Sequence, residues 1–314
     1  MPLAIDIFLR KGALRRPLEA VAMKKTKNIG RSDLKRDLDR LYRTFDLAYL
    51  SPDPLEFVHR YLADADKEVV GLISSCLAYG RVDGIKKSVE KVLSVMGASP
   101  SAFVMAYRPE KDGRLFSKFV HRFNRGPDIS CLLYFMRQMV EQSGSIGGFF
   151  MKGYCPEERD IKGALHAFSS GALALDSAPV YGSKNLPAKA GVRFFFPTPM
   201  GGSSCKRLNL YLRWMVRRGD SLDFGIWKGV DPAKLVIPLD THIARISRNI
   251  GLTSRASADW KMAVEITDAL REFDPKDPVK YDFALCRLGI LDKCPKRADP
   301  SRCERCMLRR ICVL

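Results

Sequence analysis

The chain has 314 residues, enough for one large domain or two small lobes sharing a cleft, and carries 53 Lys and Arg against 35 Asp and Glu, a formal charge of +18. Its 46% hydrophobic and 28% charged content excludes collagenous, mucin-like and wholly disordered classes, and no apolar run approaches the roughly 20 residues that cross a bilayer. A basic surplus of this size points to a polyanion, because phosphates release condensed counterions when Lys and Arg replace them; no stretch reads as the basic amphipathic helix or lipidation signal that an anionic membrane would want.

Residues 1–32 contain an apolar stretch together with Arg10, Lys11, Arg15, Arg16, Lys24, Lys25 and Lys27. With no h-region followed by a cleavage site, they read as a loose basic extension ahead of a helical domain over 33–314. From 33 to 107 apolar residues return every three or four positions. Ser51 and Asp53 start a helix carrying Leu55, Phe57, Val58, Tyr61 and Leu62. The stretch 69–79 is apolar nearly all round and is expected to be central, and 84–96 sets Ile85, Val89, Val92 and Leu93 on one face. Helices are expected over 115–123, 129–140 and 161–175. The pattern then fails over 176–205, rich in Pro, Gly, Ser and Ala with a Phe194-Phe195-Phe196 run; a loop this long in a compact domain is functional or a misread element. Helix resumes over 206–217, where Leu208, Tyr211, Leu212 and Met215 form the apolar stripe, and again over 241–250, 258–273 (capped by Ser257) and 279–288. No alternating run supports a sheet, so the expected class is all-α, and no repeat of solenoid period is visible.

Of nine cysteines, Cys76, Cys131, Cys155, Cys205 and Cys286 are scattered, where free thiols pack as small hydrophobes. The other four, Cys294, Cys303, Cys306 and Cys312, are spaced Cys-X8-Cys-X2-Cys-X5-Cys. An odd total and this clustering do not suit a secreted disulfide framework and point to a reducing cytoplasm and a metal site. Four thiolates in one loop can close around a tetrahedral zinc or cap the four irons of a cubane cluster, and spacing alone does not choose. Between 292 and 312 bases exceed acids by four. Pinned by metal, such a loop is a rigid mount for phosphate contacts; alternatively, several of its bases offset thiolate charge.

Pro238 halts an extended stretch and Asp240 falls where an N-cap belongs, with Ile243, Ile246 and Ile250 then facing one way. Asp240 can simply cap; held ionised by the positive end of the helix dipole, it can also face a developing cation. Upstream, Gly201 and Gly202 let backbone NH groups approach a phosphate at the mouth of the following helix. Lys206 lies in that helix's first turn beside Arg207, where the dipole and the neighbouring cation favour a free, nucleophilic amine.

Gly202-Ser203-Ser204-Cys205-Lys206, then Leu239-Asp240-Thr241-His242 with Arg245 and Arg248, then the terminal cysteines, resemble in order the hairpin and catalytic lysine, the Val-Asp-Thr-His segment and the iron–sulfur loop of the helix-hairpin-helix DNA glycosylase superfamily, in its endonuclease III and adenine glycosylase branch. These features cover the chain from Pro199 onward. From roughly Leu47 on, the chain also resembles a bacterial family of glycosylase-like proteins of unassigned function. The chain spaces its first two cysteines more widely than the endonuclease III branch, has Ser204 in place of a second glycine, and does not read as a first hairpin helix over 194–199.

The resemblance implies a two-lobed helix-hairpin-helix fold and a monomeric base-excision enzyme of the cytoplasm, associated with the nucleoid, acting on duplex DNA with a damaged base. Asp240 would stabilise the oxocarbenium-like sugar and help deprotonate the nucleophile, and Lys206 would attack C1′ to give a Schiff base with abasic-site lyase activity. Cys294, Cys303, Cys306 and Cys312 would hold a [4Fe-4S] cluster, with structural zinc the alternative. Gly201, Gly202, Ser203, Arg207, Arg245, Lys296, Arg297 and Arg305 would contact DNA. Phe194, Phe195, Tyr211, Trp214 and Trp227 are candidates to stack on an extruded base, against ordinary core packing. The competing function is a catalytically silent DNA-binding protein of the same fold.

Overall fold

A computed structural model describes residues 30–291 and 294–314. Helix α1 (Arg31–Thr44) buries Leu34, Leu38 and Leu41 on one stripe. Arg31 and Ser32, the last residues of the expected extension, belong to this helix, and 1–29 lie outside the described part. Asp53 accepts from the Leu55 amide at 3.0 Å to start α2 (Leu55–Val58). That helix stops well short of Leu62, which falls in the turn before α3 (Asp64–Cys76) and is 94% exposed, while Tyr61 still packs on the core.

As expected, α3 is central: Glu68 to Cys76 are all buried, against α2, α8 and α11 among others. The next helix, α4 (Val82–Met96), turns the predicted apolar face inward. After α5 (Pro100–Ala106) and α6 (Pro109–Asp112) the expected helix over 115–123 is absent. In its place a 3-10 turn at Gly113–Phe116 leads to an antiparallel hairpin, β1 (Val120–His121) with β2 (Asn124–Arg125). The cause is tertiary: His121 and Asn124 are drawn inward to Ser88, Tyr79 and Asp128, and Arg122 between them adopts φ +54°, which no helix continues.

Helix α7 (Gly126–Ser143) spans the far side of the core, with α8 (Ile146–Met151) and α9 (Lys162–Leu173) following. The expected loop over 176–205 is ordered: α10 (Ala178–Tyr181) and 3-10 turns at Gly191–Phe195 and Pro199–Gly201 bury Leu186, Val192, Phe195 and Phe196. Then come α11 (Lys206–Val216), α12 (Thr241–Asn249), α13 (Trp260–Arg271), α14 (Asp282–Ile290) and α15 (Pro300–Cys303). The cap of α13 is Asp259, which accepts from the Met262 amide at 2.8 Å, and not Ser257. Helix dominates and the two-residue strands form the single sheet among the described residues. No helix among them is long and apolar enough to cross a membrane.

Where the sequence pattern assigns α11 one apolar stripe, the structure buries it all round from Arg207 to Val216. Its arginines are tolerated because they are paired. Arg213 meets Asp223 at 3.3 Å and also Asp282, and Arg217 meets Asp223 at 2.9 Å and Asp277 at 2.8 Å.

Glu68 is the matching device on α3. Its buried carboxylate accepts from the amides of Ile146 (3.1 Å) and Gly147 (3.0 Å) at the start of α8 and from Trp227 Nε1 (2.5 Å). Burial pushes the carboxyl up, against these bonds, which pull it down. Glu68→Ala leaves three buried donors unmatched and is expected to cost roughly 2–5 kcal/mol, read as a shift of the denaturant midpoint. A loss below about 1 kcal/mol would show that this tie is redundant.

Candidate functional site

Buried, extended residues Leu235 to Leu239 deliver Asp240 to the start of α12. One carboxylate oxygen, Oδ1, accepts from the amides of His242 (2.9 Å) and Ile243 (2.8 Å). The other, Oδ2, lies 3.7 Å from Lys206 Nζ. Capping therefore occupies Oδ1 and leaves Oδ2 turned toward the lysine. Helix α14 closes on this end of α12 at Gly289, where a Cβ would stand 2.7 Å from His242 Cβ. Lys206 opens α11 behind a turn that needs two left-handed residues, Gly202 at φ +80° and Cys205 at φ +49°. No side chain caps α11, so the positive end of its dipole faces the same space.

Amine and acid share an open groove of about 1250 Å³, whose walls include Tyr79, Arg81, Arg245, Cys286 and Arg287. Its lining comes from 52–54, the α3–α4 connection, one face each of α11 and α14, and the start of α12. Paired charges form part of the wall, with Arg287 Nη2 2.8 Å from Asp53. The Nε and Nη1 of Arg287 are buried with no hydrogen-bond partner in the structure. Burial pushes the Asp282 carboxyl up to about 6, although Arg213 draws it down; the charge of nearby Asp240 adds to the rise.

Several expected contacts are placed differently. Gly201, Gly202 and Ser203 form an exposed turn at the head of α11, but the element before it is a single 3-10 turn, Pro199–Gly201, and not a helix. Arg207 is no free surface cation: it is 8% exposed and donates to the carbonyls of Cys76 (3.1 Å) and Phe194. Its expected phosphate contact is corrected to a buried strut. Arg245 is half-buried on the groove wall, donating to His242 Nδ1 at 3.1 Å. Because a guanidinium only donates, that nitrogen must accept. Lys296, Arg297 and Arg305 are exposed on the cysteine loop. Among the proposed stacking rings, Phe195, Tyr211, Trp214 and Trp227 are core residues and only Phe194 reaches the surface. Sequence reasoning missed Tyr79, Arg81 and the Asp53–Arg287 pair. The last joins residues 234 apart in the chain, beyond the reach of any local motif.

Cys294, Cys303, Cys306 and Cys312 line one small cavity. No three His, Cys, Asp or Glu side chains among the described residues are grouped so as to hold a metal ion. The loop is anchored to the rest of the protein: Arg40 donates to the Met307 carbonyl at 2.6 Å, the Val313 amide donates to the Asn249 carbonyl at 2.9 Å, and Leu308 and Ile311 are buried. Arg245 and Cys294 both line the groove, so the first cysteine of the loop borders it.

Fold and site together define an all-α protein with one large groove in which a lysine faces an aspartate. The chain belongs to the family described as "Protein of unknown function (DUF2400)", which matches residues 53–291. That span contains Lys206 and Asp240 and ends before the four clustered cysteines. No curated protein and no solved structure matches the chain.

Proposed function

We propose that this protein is a DNA base-excision glycosylase with abasic-site lyase activity, built on a glycosylase-like arrangement of helices. The observation that carries the reading is the 3.7 Å approach of Lys206 Nζ to Asp240 Oδ2 in an open groove of a chain with a charge of +18. The C1′–N glycosidic bond breaks with its electron pair leaving on the base, and the Asp240 carboxylate offsets the positive charge that develops on the sugar. Asp240 accepts a proton from Lys206, whose amine then forms a bond to C1′. Ring opening gives the iminium, and a proton returns to the ring oxygen. Lys206 and Asp240 serve one sugar carbon, and groove volume admits a nucleotide turned out of its stack.

Oligonucleotide duplexes carrying abasic, oxidised or deaminated bases, treated with borohydride, test the reading. The expected result is free base together with a covalent protein–DNA adduct on at least one substrate. Binding retained with neither product across the panel would identify the catalytically silent DNA-binding module instead.

The four clustered cysteines suit a thiolate-only ligand set, since they share one cavity. Such a set could hold a [4Fe-4S] cluster, the reading the loop's resemblance favours, with structural zinc the alternative. Bound there, the cluster would supply a rigid pin for the loop bearing Lys296, Arg297 and Arg305. Anaerobically purified protein is expected to contain about four irons and four sulfides per chain, and stripping them is expected to open 294–314 to proteolysis and weaken DNA binding. Zinc without sulfide would overturn the assignment.

A further inference from the structure

The groove wall holds a buried cation whose hydrogen-bonding capacity is unfilled. Among the described residues the buried arginines are Arg207, Arg213, Arg217 and Arg287. Arg207 is bound to two backbone carbonyls, Arg213 to Asp223 and Asp282, and Arg217 to Asp220, Asp223 and Asp277. Arg287 differs. It is 1% exposed, and its Nε and Nη1 have no acceptor among the described residues. A guanidinium carries donors on all three nitrogens, and Asp53 takes only Nη2, at 2.8 Å. Buried donors left in this way are costly, and native proteins keep few of them.

The guanidinium is nonetheless held in place. Asp53 is itself fixed, its Oδ1 accepting from the Leu55 amide at 3.0 Å while Oδ2 faces Arg287. On the other side the Phe283 ring centre lies 5.1 Å from the guanidinium carbon. Asp282, Phe283, Cys286 and Arg287, on successive turns of α14, line the groove together with Asp53. Cys286 ties this wall to the candidate acid: burial pushes its thiol up to about 12, the charges of Asp240, Asp282 and Asp53 add to the rise, and Arg287 opposes it. Asp240 and the Asp53–Arg287 pair therefore border the same part of the groove.

Charge selects what this wall accepts. Asp53 already balances the cation, so the open N–H groups call for a neutral acceptor and not for a second anion. A carbonyl oxygen is such an acceptor, whereas an amino group sets donor against donor and leaves both unpaired. Deamination makes this exchange, turning the exocyclic amine of cytosine or adenine into the carbonyl of uracil or hypoxanthine. Thymine and guanine also carry carbonyls, but extrusion costs least from a mismatch, and a deaminated base stands in one opposite its original partner.

We propose that Arg287, held by Asp53, determines the specificity of the groove, and that the base it accepts is a deamination product of cytosine or adenine, bound through its new carbonyl oxygen. The proposal rests on reading the groove as the site of an extruded nucleotide. Arg287 touches the base, while Lys206 and Asp240 serve the sugar.

Full-length protein carrying Asp240→Asn, in which base release is slowed, is titrated onto duplexes with uracil or cytosine opposite thymine, and with hypoxanthine or adenine opposite guanine, so that every base compared is mispaired. Uracil and hypoxanthine are expected to bind at least about tenfold more tightly than their amino counterparts. Adding Arg287→Lys keeps a cation beside Asp53 but removes the fork, and is expected to bring the preference within about twofold. Adding Arg287→Gln with Asp53→Asn instead leaves a neutral pair whose amide oxygen accepts from an amine, which is expected to turn the preference toward cytosine and adenine. A purely structural Arg287 would lower affinity for all four duplexes alike. Thermal melting identifies the variants that fold, and either of the two decides. Equal affinity for carbonyl and amino bases in the Arg287 protein overturns the proposal, even where release of oxidised bases upholds the glycosylase reading. A carbonyl preference that depends on Arg287, with no base released by the wild type, keeps the proposal and rejects the chemistry.

Discussion

Lys206→Gln protein is expected to form no borohydride-trapped adduct with abasic DNA while keeping its fold and its affinity for the duplex. Trapping reports a covalent iminium, and an amide side chain cannot form one, so the effect is loss of the signal and not its reduction. The fold should tolerate the change. Lys206 is one-third exposed, its ion pair with Asp240 is longer than a hydrogen bond, and Gln is a good helix former at the start of α11. A partly exposed pair of this kind contributes less than about 1 kcal/mol. Arg207 cannot take over, since its guanidinium is bound to the Cys76 and Phe194 carbonyls. If base release persists without trapping, water has replaced the amine and the enzyme is monofunctional in that variant. An adduct that survives Lys206→Gln would place the Schiff base on another amine and remove the lysine from the mechanism.

Asp240→Asn separates the cap from the chemical role proposed for the carboxylate. Asn caps a helix about as well as Asp, so the Oδ1 bonds to His242 and Ile243 should survive and the melting temperature should move little. The negative charge does not survive. Without it the cation forming on the sugar is unopposed and Lys206 loses its proton acceptor, so base release is expected to fall by about 10²–10⁴. Asp240→Ala should show the same kinetic loss plus about 1 kcal/mol of stability from the missing cap. Single-turnover base release measured beside thermal unfolding distinguishes them. Near-normal release in the Asn variant would reduce Asp240 to a structural cap.

Asp240 was legible because an N-cap is a local feature: an extended run, a Pro, an acid and a helix stripe fall within a dozen residues. The helices with strong periodicity were legible for the same reason, and α3, α4 and α12 hold the faces that their spacing predicts. Where local and tertiary forces disagree, the tertiary ones prevail. His121 and Asn124 give up a helix for buried partners on α4 and α7. Arg207 is expected to contact phosphate from its place in the sequence, yet it is buried, as are Arg213 and Arg217, because a distant carbonyl or carboxylate satisfies each. Phe123 and Phe194, 71 residues apart in sequence, become one exposed stack only once the hairpin folds beside the 3-10 turn.

By itself the amino-acid order determined the helical class, the basic charge, the clustered thiols and the identity of the acid and amine, because periodicity, composition and caps act over a few residues. Bringing Lys206 within reach of Asp240, opening a groove around them and turning several arginines inward were decided by packing between elements far apart in the chain. Burial and pairing of polar groups depend on partners that only the assembled core supplies.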